Sequence, residues 1–161
     1  MKKILSLVLI LALCLTAMTA YAAAAPSKMV GIINVFVNGE KSNEIPTAQA
    51  LAAANVEMIK LVQEGPASYF NTDVNEVFEF SPLDAVVAED AIVDGKVEAT
   101  FNADTKFDAG ENIQVLLAVE DEEGNGLVWT AYEGVANNDG DVVATVDAEV
   151  LDNADYSALC K

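Results

Sequence analysis

Histidine and arginine are absent from this chain of 161 residues, and cysteine occurs only as Cys14 and Cys160. Without histidine, zinc or copper sites that need imidazole are excluded, as are Ser-His-Asp and Cys-His catalytic arrangements. Two cysteines cannot build a thiolate cage around a metal. Gly-x-Ser-x-Gly and Gly-rich phosphate-loop motifs are missing too. The sequence therefore predicts a protein that is not an enzyme and has no obligatory cofactor.

Positive charge is also scarce, since eight Lys stand against 26 acidic residues and the net charge is −18. Binding to nucleic acids needs basic side chains that displace counterions from phosphates. A chain this acidic is repelled by nucleic acids and by anionic membrane surfaces. We therefore expect no nucleic-acid partner.

The N-terminus has the order of segments that is typical of a secretory signal peptide. Lys2 and Lys3 precede an apolar run over residues 4–18, and small residues crowd together over residues 20–25. The small-x-small pattern predicts cleavage after Ala22, with Ala24 as the alternative. An uncleaved N-terminal anchor helix is the other interpretation. We expect a signal peptide over residues 1–22 and a secreted, extracellular protein without stable membrane insertion after cleavage.

Cys14 allows a different interpretation of the same segment. Residues 11–14 (LALC) loosely resemble the lipobox of bacterial lipoproteins. Lipoboxes have a small residue before the cysteine, whereas this chain has Leu13, and the apolar run continues beyond Cys14. Attachment to a membrane through a lipid on Cys14 is therefore a minor alternative to free secretion.

Removal of residues 1–22 would leave 139 residues with six Lys, 26 acidic residues and a net charge of −20. This length suits one domain with a sizeable core. Cys160 would be the single remaining cysteine, so no intramolecular disulfide is possible. We interpret Cys160 as a small apolar residue of the last strand; an exposed thiol that forms intermolecular disulfides is the alternative.

Residues 23–76 predict an N-terminal segment with one strand and one helix. The strand covers residues 29–37 and ends at Asn38-Gly39, a strong turn dipeptide, before a polar loop over residues 40–44. The helix covers residues 47–64, begins at a Thr47 cap and ends at Gly65-Pro66. A short turn or helical piece follows over residues 67–75. The helix has one apolar face, formed by Leu51, Ala54, Met58, Leu61 and Val62.

From residue 77 onward, apolar residues recur at every second position, which is typical of strands. Phe78 and Phe80 are predicted to share one face of the first strand. Turn-forming residues separate the strands. Six strands are predicted, over residues 77–81, 96–102, 112–120, 127–136, 141–148 and 156–160. The pattern predicts a mainly-β fold, an antiparallel β-sandwich of Ig-like architecture over residues 77–161 with the N-terminal strand and helix packed against it.

Several stretches of residues 77–161 resemble a group of small secreted proteins of Gram-positive, clostridial-type gut bacteria. The stretches are residues 80–83 (FSPL), 95–101 (GKVEATF), 113–117 (IQVLL), 129–131 (WTA), 139–142 (DGDV) and 148–151 (AEVL). The group has a variable N-terminal segment and a C-terminal Ig-like β-rich domain. The resemblance implies a fold and a compartment, and it carries no activity. This chain departs from the group in its ending over residues 157–161 (SALCK), where a purely apolar ending would fit better.

The loop over residues 120–126 is the best candidate for a metal site, because calcium prefers clustered carboxylate and amide oxygens. Asp121, Glu123 and Asn125 supply oxygen at positions one, three and five of a calcium-loop template, with Gly126 at position six. The twelfth position is Tyr132 where the template has Glu. A solvated hairpin tip is the alternative, and the loop over residues 137–141 has the same two interpretations.

Trp129 and Tyr132 are candidates for a sugar-stacking platform, but residues three apart on a strand point to opposite faces. Acidic residues are so numerous that no pair can be nominated for glycoside hydrolysis. The sequence therefore favours a non-enzymatic extracellular module that acts through protein contacts or adhesion, with an extracellular protein or glycan as its partner. A calcium- or carbohydrate-binding module is the alternative, and a carboxylate-based hydrolase follows it.

Overall fold

The computed structural model describes residues 30–161, in which eight antiparallel strands form one curled sheet. The strands are β1 (Asn34–Val37), β2 (Glu40–Lys41), β3 (Val77–Pro82), β4 (Lys96–Asn102), β5 (Asn112–Glu120), β6 (Leu127–Ala136), β7 (Val142–Asp147) and β8 (Tyr156–Cys160). The helices are α1 (Ala48–Glu64), α2 (Pro66–Phe70) and α3 (Ala148–Asp152). Across the sheet the order is β2-β1-β4-β7-β6-β5-β8-β3.

Asn38 and Gly39 make the predicted turn and allow the chain to fold back directly after β1. Both residues have positive φ, 52° and 78°, the conformation that a tight two-residue hairpin needs. β2 pairs with β1 through Val37 and Glu40, so the start of the predicted loop over residues 40–44 is a short strand. The N-terminal segment joins the sheet because β1 also pairs with β4.

The inner face of the curled sheet holds most of the buried apolar side chains. The alternation predicted for β4 and β7 is confirmed, with Val97, Ala99 and Phe101 buried on β4. We call this cluster the inner core; its buried members are Ile33, Val35, Val37, Leu83, Ala85, Val97, Ala99, Phe101, Ala103, Ile113, Val115, Leu117, Val142, Ala144, Val146, Ala148, Leu151, Ala154 and Leu159. Burying so much aliphatic surface is the main stabilising contribution to the fold.

The two edges of the sheet approach each other through the residues around β1 and β3. The Gly31 amide donates to the Phe80 carbonyl at 2.9 Å, and the Ile33 amide donates to the Ser81 hydroxyl at 3.1 Å. After β2, the Glu44 amide donates to the Asp84 carbonyl at 3.2 Å. These bonds satisfy backbone groups that an open edge would leave unpaired.

Helix α1 lies on the outer face of the sheet and ends where the sequence predicts. The Thr47 hydroxyl accepts a hydrogen bond from the Ala50 amide at 3.1 Å, and Gly65 has a φ of 82°. Alternate residues of β5 and β8 therefore face a second apolar cluster. We call this cluster the outer layer; its buried members are Ala54, Met58, Leu61, Phe70, Val74, Phe80, Leu116, Ala158 and Cys160.

The prediction that Phe78 and Phe80 share one face is wrong. A register shift between Val77 and Glu79 interrupts the pairing of β3 with β8. Such a β-bulge changes which face the following residue occupies. Phe78 consequently packs against the inner core, whereas Phe80 belongs to the outer layer.

The mainly-β class is confirmed, but the finer prediction of two packed sheets is not, because the eight strands belong to a single sheet. Helix α3 replaces the predicted end of the strand over residues 141–148, since Ala148 and Leu151 turn into the inner core. The predicted signal peptide over residues 1–22, Cys14 and the strand start at residue 29 lie outside the described residues. Within residues 30–161, no helix combines the length and the apolar character that a membrane crossing needs.

Candidate functional site

A cleft of about 400 Å³ opens between α1, α2 and the hairpin that joins β5 to β6. This volume is within the range of small-molecule sites in proteins. We call it the aromatic-acidic cleft after its main lining residues, which are Glu57, Glu64, Tyr69, Glu120, Trp129 and Tyr156. The other lining residues are Lys60 on α1 and Asn125, Gly126 and Leu127 of the hairpin.

The aromatic side of the cleft is the solvent-facing continuation of the outer layer. The centre of the Trp129 ring lies 4.8 Å from that of Phe70 and 6.0 Å from that of Tyr69. Behind them, Phe80 lies 5.7 Å from Trp129 and 5.6 Å from Tyr156. Edge-to-face and tilted pairs of this kind hold the rings in place. Tyr69, Trp129 and Tyr156 stay partly exposed, so the cleft presents fixed aromatic surface to solvent.

Glu57 on α1 is the most constrained carboxylate of the cleft. Its Oε1 accepts a hydrogen bond from Lys60 at 2.6 Å, and its Oε2 accepts one from the Tyr69 hydroxyl at 2.8 Å. The side chain of Glu57 is only 17% exposed. Because both oxygens are engaged, Glu57 serves to orient the Tyr69 ring and to hold Lys60 against the helix.

Glu64 and Glu120 face the same cleft from α1 and from the end of β5, and both are exposed. Within residues 30–161, no hydrogen bond or ion pair reaches either carboxylate. Three carboxylates therefore share the cleft with the single ammonium group of Lys60, and that group is held by Glu57.

The tyrosine hydroxyls of the cleft stay protonated to higher pH than free tyrosine. Burial raises the pKa of Tyr69, and its hydrogen bond to Glu57 raises that pKa further. Burial also raises the pKa of Tyr156, with the negative charges of Glu57, Asp155 and Glu120 as further causes. The hydrogen bond with Glu57 raises the pKa of Lys60. At neutral pH the cleft thus holds neutral phenols and a charged Lys60.

A second cleft, of about 460 Å³, lies where the loop before α1 meets the segment between α3 and β8. Two of its acidic side chains accept hydrogen bonds from backbone amides of other segments. Asp152 accepts a hydrogen bond from the Val87 amide at 2.9 Å, and Asp155 accepts one from the Glu120 amide at 2.8 Å. Tyr156 is the aromatic residue of its lining. The aromatic-acidic cleft is therefore the better candidate site.

The three residues of the calcium candidate come together at the tip of the β5–β6 hairpin, with hydrogen bonds among themselves. The Asn125 amide nitrogen donates to Asp121 at 2.9 Å and to Glu123 at 3.2 Å. Within residues 30–161, no cluster of three or more Asp, Glu, His or Cys side chains suits a metal ion. Calcium binding at Asp121, Glu123 and Asn125 stays a prediction.

The second acidic loop, over residues 137–141, is organised by its own side chains. The Asn137 side-chain oxygen accepts hydrogen bonds from the amides of Asp139 and Asp141, at 2.9 and 3.0 Å. The carboxylate of Asp141 forms an ion pair with Lys106 and accepts a hydrogen bond from Asn102. This network ties the loop to the neighbouring loop and to the end of β4.

Trp129 and Tyr132 point to opposite faces of β6, as the sequence predicts. Trp129 packs against the outer layer, and Tyr132 packs against the inner core and donates to Asp147 at 3.1 Å. A two-residue platform of Trp129 and Tyr132 does not form. Tyr69 and Tyr156 are the aromatic residues that accompany Trp129 instead.

Cys160 is fully buried in the outer layer, which confirms its interpretation as a packed apolar residue. Burial raises the pKa of its thiol, and a protonated thiol is a poor nucleophile. Cys160 therefore does not belong to the candidate site.

Comparison of the chain with protein-family models, with curated proteins and with solved structures gives no match.

Sequence reasoning missed most of the aromatic-acidic cleft because its residues are far apart along the chain. Glu57 and Glu64 come from α1, Tyr69 from α2, and Tyr156 from the last strand. One sequence pattern did point to the acidic side of this cleft. Glu57, Lys60 and Glu64 recur at helical spacing on one flank of α1, next to its predicted apolar face. Only the packing of α1 on the sheet brings that flank opposite Trp129.

Proposed function

We propose that this protein is a secreted, non-enzymatic binding module of the protein-contact or adhesion type, and that the aromatic-acidic cleft is its contact site. The observation that carries the proposal is the meeting of three partly exposed aromatic rings with two unpaired carboxylates, Glu64 and Glu120, in one concave site. Aromatic side chains are enriched at binding interfaces, where they provide rigid apolar contact area.

A protein partner suits both the size and the charge of the cleft. A volume of about 400 Å³ accepts one or a few side chains of a partner and leaves the rest of the contact to the surrounding surface. The two unpaired carboxylates favour a partner with complementary charge. Export, as the N-terminal sequence predicts, would place this surface in contact with extracellular molecules.

A carbohydrate is the second candidate ligand, and the aromatic lining favours it. Sugars stack on partly exposed rings and form hydrogen bonds with carboxylates. Glu64 and Glu120 would also be the free carboxylates for a hydrolase, because both oxygens of Glu57 are engaged. We expect binding without hydrolysis, so incubation of the protein with a bound glycan should release no reducing ends.

The proposal is tested with the full chain, expressed with its own N-terminal segment and collected from the culture medium. Its binding to panels of immobilised extracellular proteins and glycans is compared between two double variants. Glu64→Arg/Glu120→Arg reverses both charges and fills the cleft with long side chains. Glu98→Arg/Glu149→Arg makes the same change of net charge on β4 and α3, at exposed positions that do not line the cleft.

We expect the cleft variant to lose binding to a panel ligand that the control variant still binds. Circular dichroism must show that both variants are folded. Equal binding by the two variants, or recovery of the protein only inside the cells, would contradict the proposal.

The calcium alternative has its own test. If Asp121, Glu123 and Asn125 bind calcium, millimolar calcium should raise the melting temperature of the protein and give heat in a calorimetric titration. Asp121→Asn should abolish both effects. A melting temperature that is unchanged by calcium would remove this alternative.

A further inference from the structure

We infer that the aromatic-acidic cleft captures a cationic side chain, Lys or Arg, from a basic segment of a partner protein. This inference rests on the proposed function and narrows it from a contact site to one class of ligand. Three features of the described residues carry it: the imbalance of charge in the cleft, the aromatic surface beside it, and the shortage of free Lys elsewhere on the chain.

The charge of the cleft is the first feature. Glu57, Glu64 and Glu120 line it, and the ammonium group of Lys60 is already bound to Glu57 at 2.6 Å. The carboxylates of Glu64 and Glu120 have no ion pair or hydrogen bond within residues 30–161, and they lie in a concave site, where field lines are focused and attract cations. An anionic ligand would be repelled by the same charges, and a neutral sugar could form hydrogen bonds with the carboxylates but would gain no charge–charge attraction from them.

The aromatic rings are the second feature. A cation above the face of Trp or Tyr is attracted by the ring quadrupole, and Trp gives the strongest attraction. Trp129 and Tyr156 line the same cleft as Glu64 and Glu120. The apolar stem of a Lys or Arg side chain can therefore lie along the rings while its charged group reaches the carboxylates.

The third feature is that most of the Lys residues within residues 30–161 are already engaged in ion pairs. Residues 30–161 contain five Lys, and four of them form ion pairs with acidic side chains. Those acidic partners are Glu57, Asp147, Asp141 and Glu111. Most of the 26 carboxylates consequently form no ion pair with a Lys of residues 30–161, which favours a basic partner molecule.

Intrinsic fluorescence provides a direct test, because Trp129 is the single tryptophan of the chain and lies in the cleft. The full chain is titrated with tetralysine and, in parallel, with tetraglutamine, tetraglutamate and a neutral oligosaccharide. We expect a saturable change of Trp129 emission with tetralysine that weakens as salt is added. The other three ligands should cause no change.

A matched pair of variants separates a site from a general charge effect. Glu64→Gln/Glu120→Gln should weaken tetralysine binding about tenfold, as expected for two partly exposed ion pairs. Glu98→Gln/Glu149→Gln removes the same two charges at exposed positions outside the cleft and should leave the affinity within about twofold. Equal weakening by both variants would overturn the inference, since binding would then follow net charge alone.

The remaining outcomes distinguish this inference from the proposed function. Suppose that tetralysine leaves Trp129 emission unchanged while a panel ligand binds the wild-type protein and not the cleft variant. The inference of a cationic ligand is then wrong, and the proposal that the cleft is a contact site stands. Saturable binding of the oligosaccharide without tetralysine binding makes the cleft a glycan site and overturns the inference. If tetralysine binds and no panel ligand does, the cation site stands and the function as a contact module fails.

Discussion

The inner core and the outer layer cover opposite faces of the same sheet, yet they are built from different side chains. The inner core is mostly Val, Ala, Ile and Leu, and the curled sheet encloses it. The outer layer contains Phe70 and Phe80, with Tyr69, Trp129 and Tyr156 packed at its margin. Small aliphatic residues suit a closed interior, whereas large aromatic rings stabilise a layer that one helix covers only in part. The candidate site therefore lies at the margin of the outer layer.

The largest expected effect of a single substitution is in the inner core. Phe101 is fully buried and lies between Val35 and Val142 on the neighbouring strands. Phe101→Ala should lower the free energy of unfolding by about 3–5 kcal/mol, measured by urea denaturation. The emission of Trp129 in the folded state should stay unchanged, because Trp129 packs on the other face. The control is Val128→Ala, at an exposed position of β6. If Phe101→Ala lowered the free energy of unfolding no more than this control, the prediction would be contradicted.

Truncation in the outer layer should cost less stability and affect the cleft more. Met58 is a residue of α1 and is fully buried in the outer layer. Met58→Ala should lower the free energy of unfolding by about 2–3 kcal/mol, since a helix on the surface can shift to reduce the cavity. The Trp129 emission should move to longer wavelength as water enters. The control is Ile59→Ala, at the next residue, which is exposed. An equal red shift of Trp129 emission in Ile59→Ala would show that the shift does not depend on the buried outer layer.

A smaller effect of opposite sign is expected at Glu79, a charged residue on the inner face opposite Leu159. It is 1% exposed, its Oε2 accepts a hydrogen bond from the Thr105 amide, and its Oε1 has no partner within residues 30–161. Glu79→Gln should raise the free energy of unfolding by about 1 kcal/mol, because a buried neutral amide costs less than a buried charge. Glu79→Ala should instead destabilise, since it leaves the Thr105 amide unpaired. Destabilisation by both variants would show that the charge is needed.

The smallest effect concerns alkaline pH and Tyr132, on the inner face. Burial, together with the hydrogen bond to Asp147, raises the pKa of Tyr132 to about 12. The folded protein holds this proton more tightly than the unfolded chain, whose tyrosines titrate at about pH 10. The stabilisation is thus complete below about pH 10 and is lost as the pH rises through 12. Tyr132→Phe should make the fall of unfolding free energy over this interval shallower; an unchanged slope would contradict it.

All strands of the sheet except β2 could be predicted, because each of them follows a local sequence pattern. β2 lies in the predicted loop over residues 40–44. Alternating apolar residues on β4 and β7 face one interior, and the turn at Asn38-Gly39 adopts the positive φ values that favour Asn and Gly. Helix α1 was predictable for the same reason, since its cap, its apolar face and its terminating glycine are close in sequence. Each of these signals involves residues that are neighbours along the chain.

Residue patterns could not predict the features that depend on pairing between distant segments. The bulge in β3 separates Phe78 from Phe80, and it exists only in relation to the partner strand β8. The union of eight strands in one sheet depends on β1 pairing with β4, about sixty residues later along the chain. Local alternation shows that a strand hides one face, but it does not identify the strand beside it.

Composition and short-range periodicity alone were enough to define an acidic, mainly-β chain without imidazole chemistry. The aromatic-acidic cleft arose only when α1 packed on the outer face and brought Glu57 and Tyr69 beside Trp129. The physical reason is that each position of the sequence specifies the identity and charge of one side chain. A binding site, however, needs side chains from distant positions to be held at contact distance. Long-range burial of apolar surface provides that proximity.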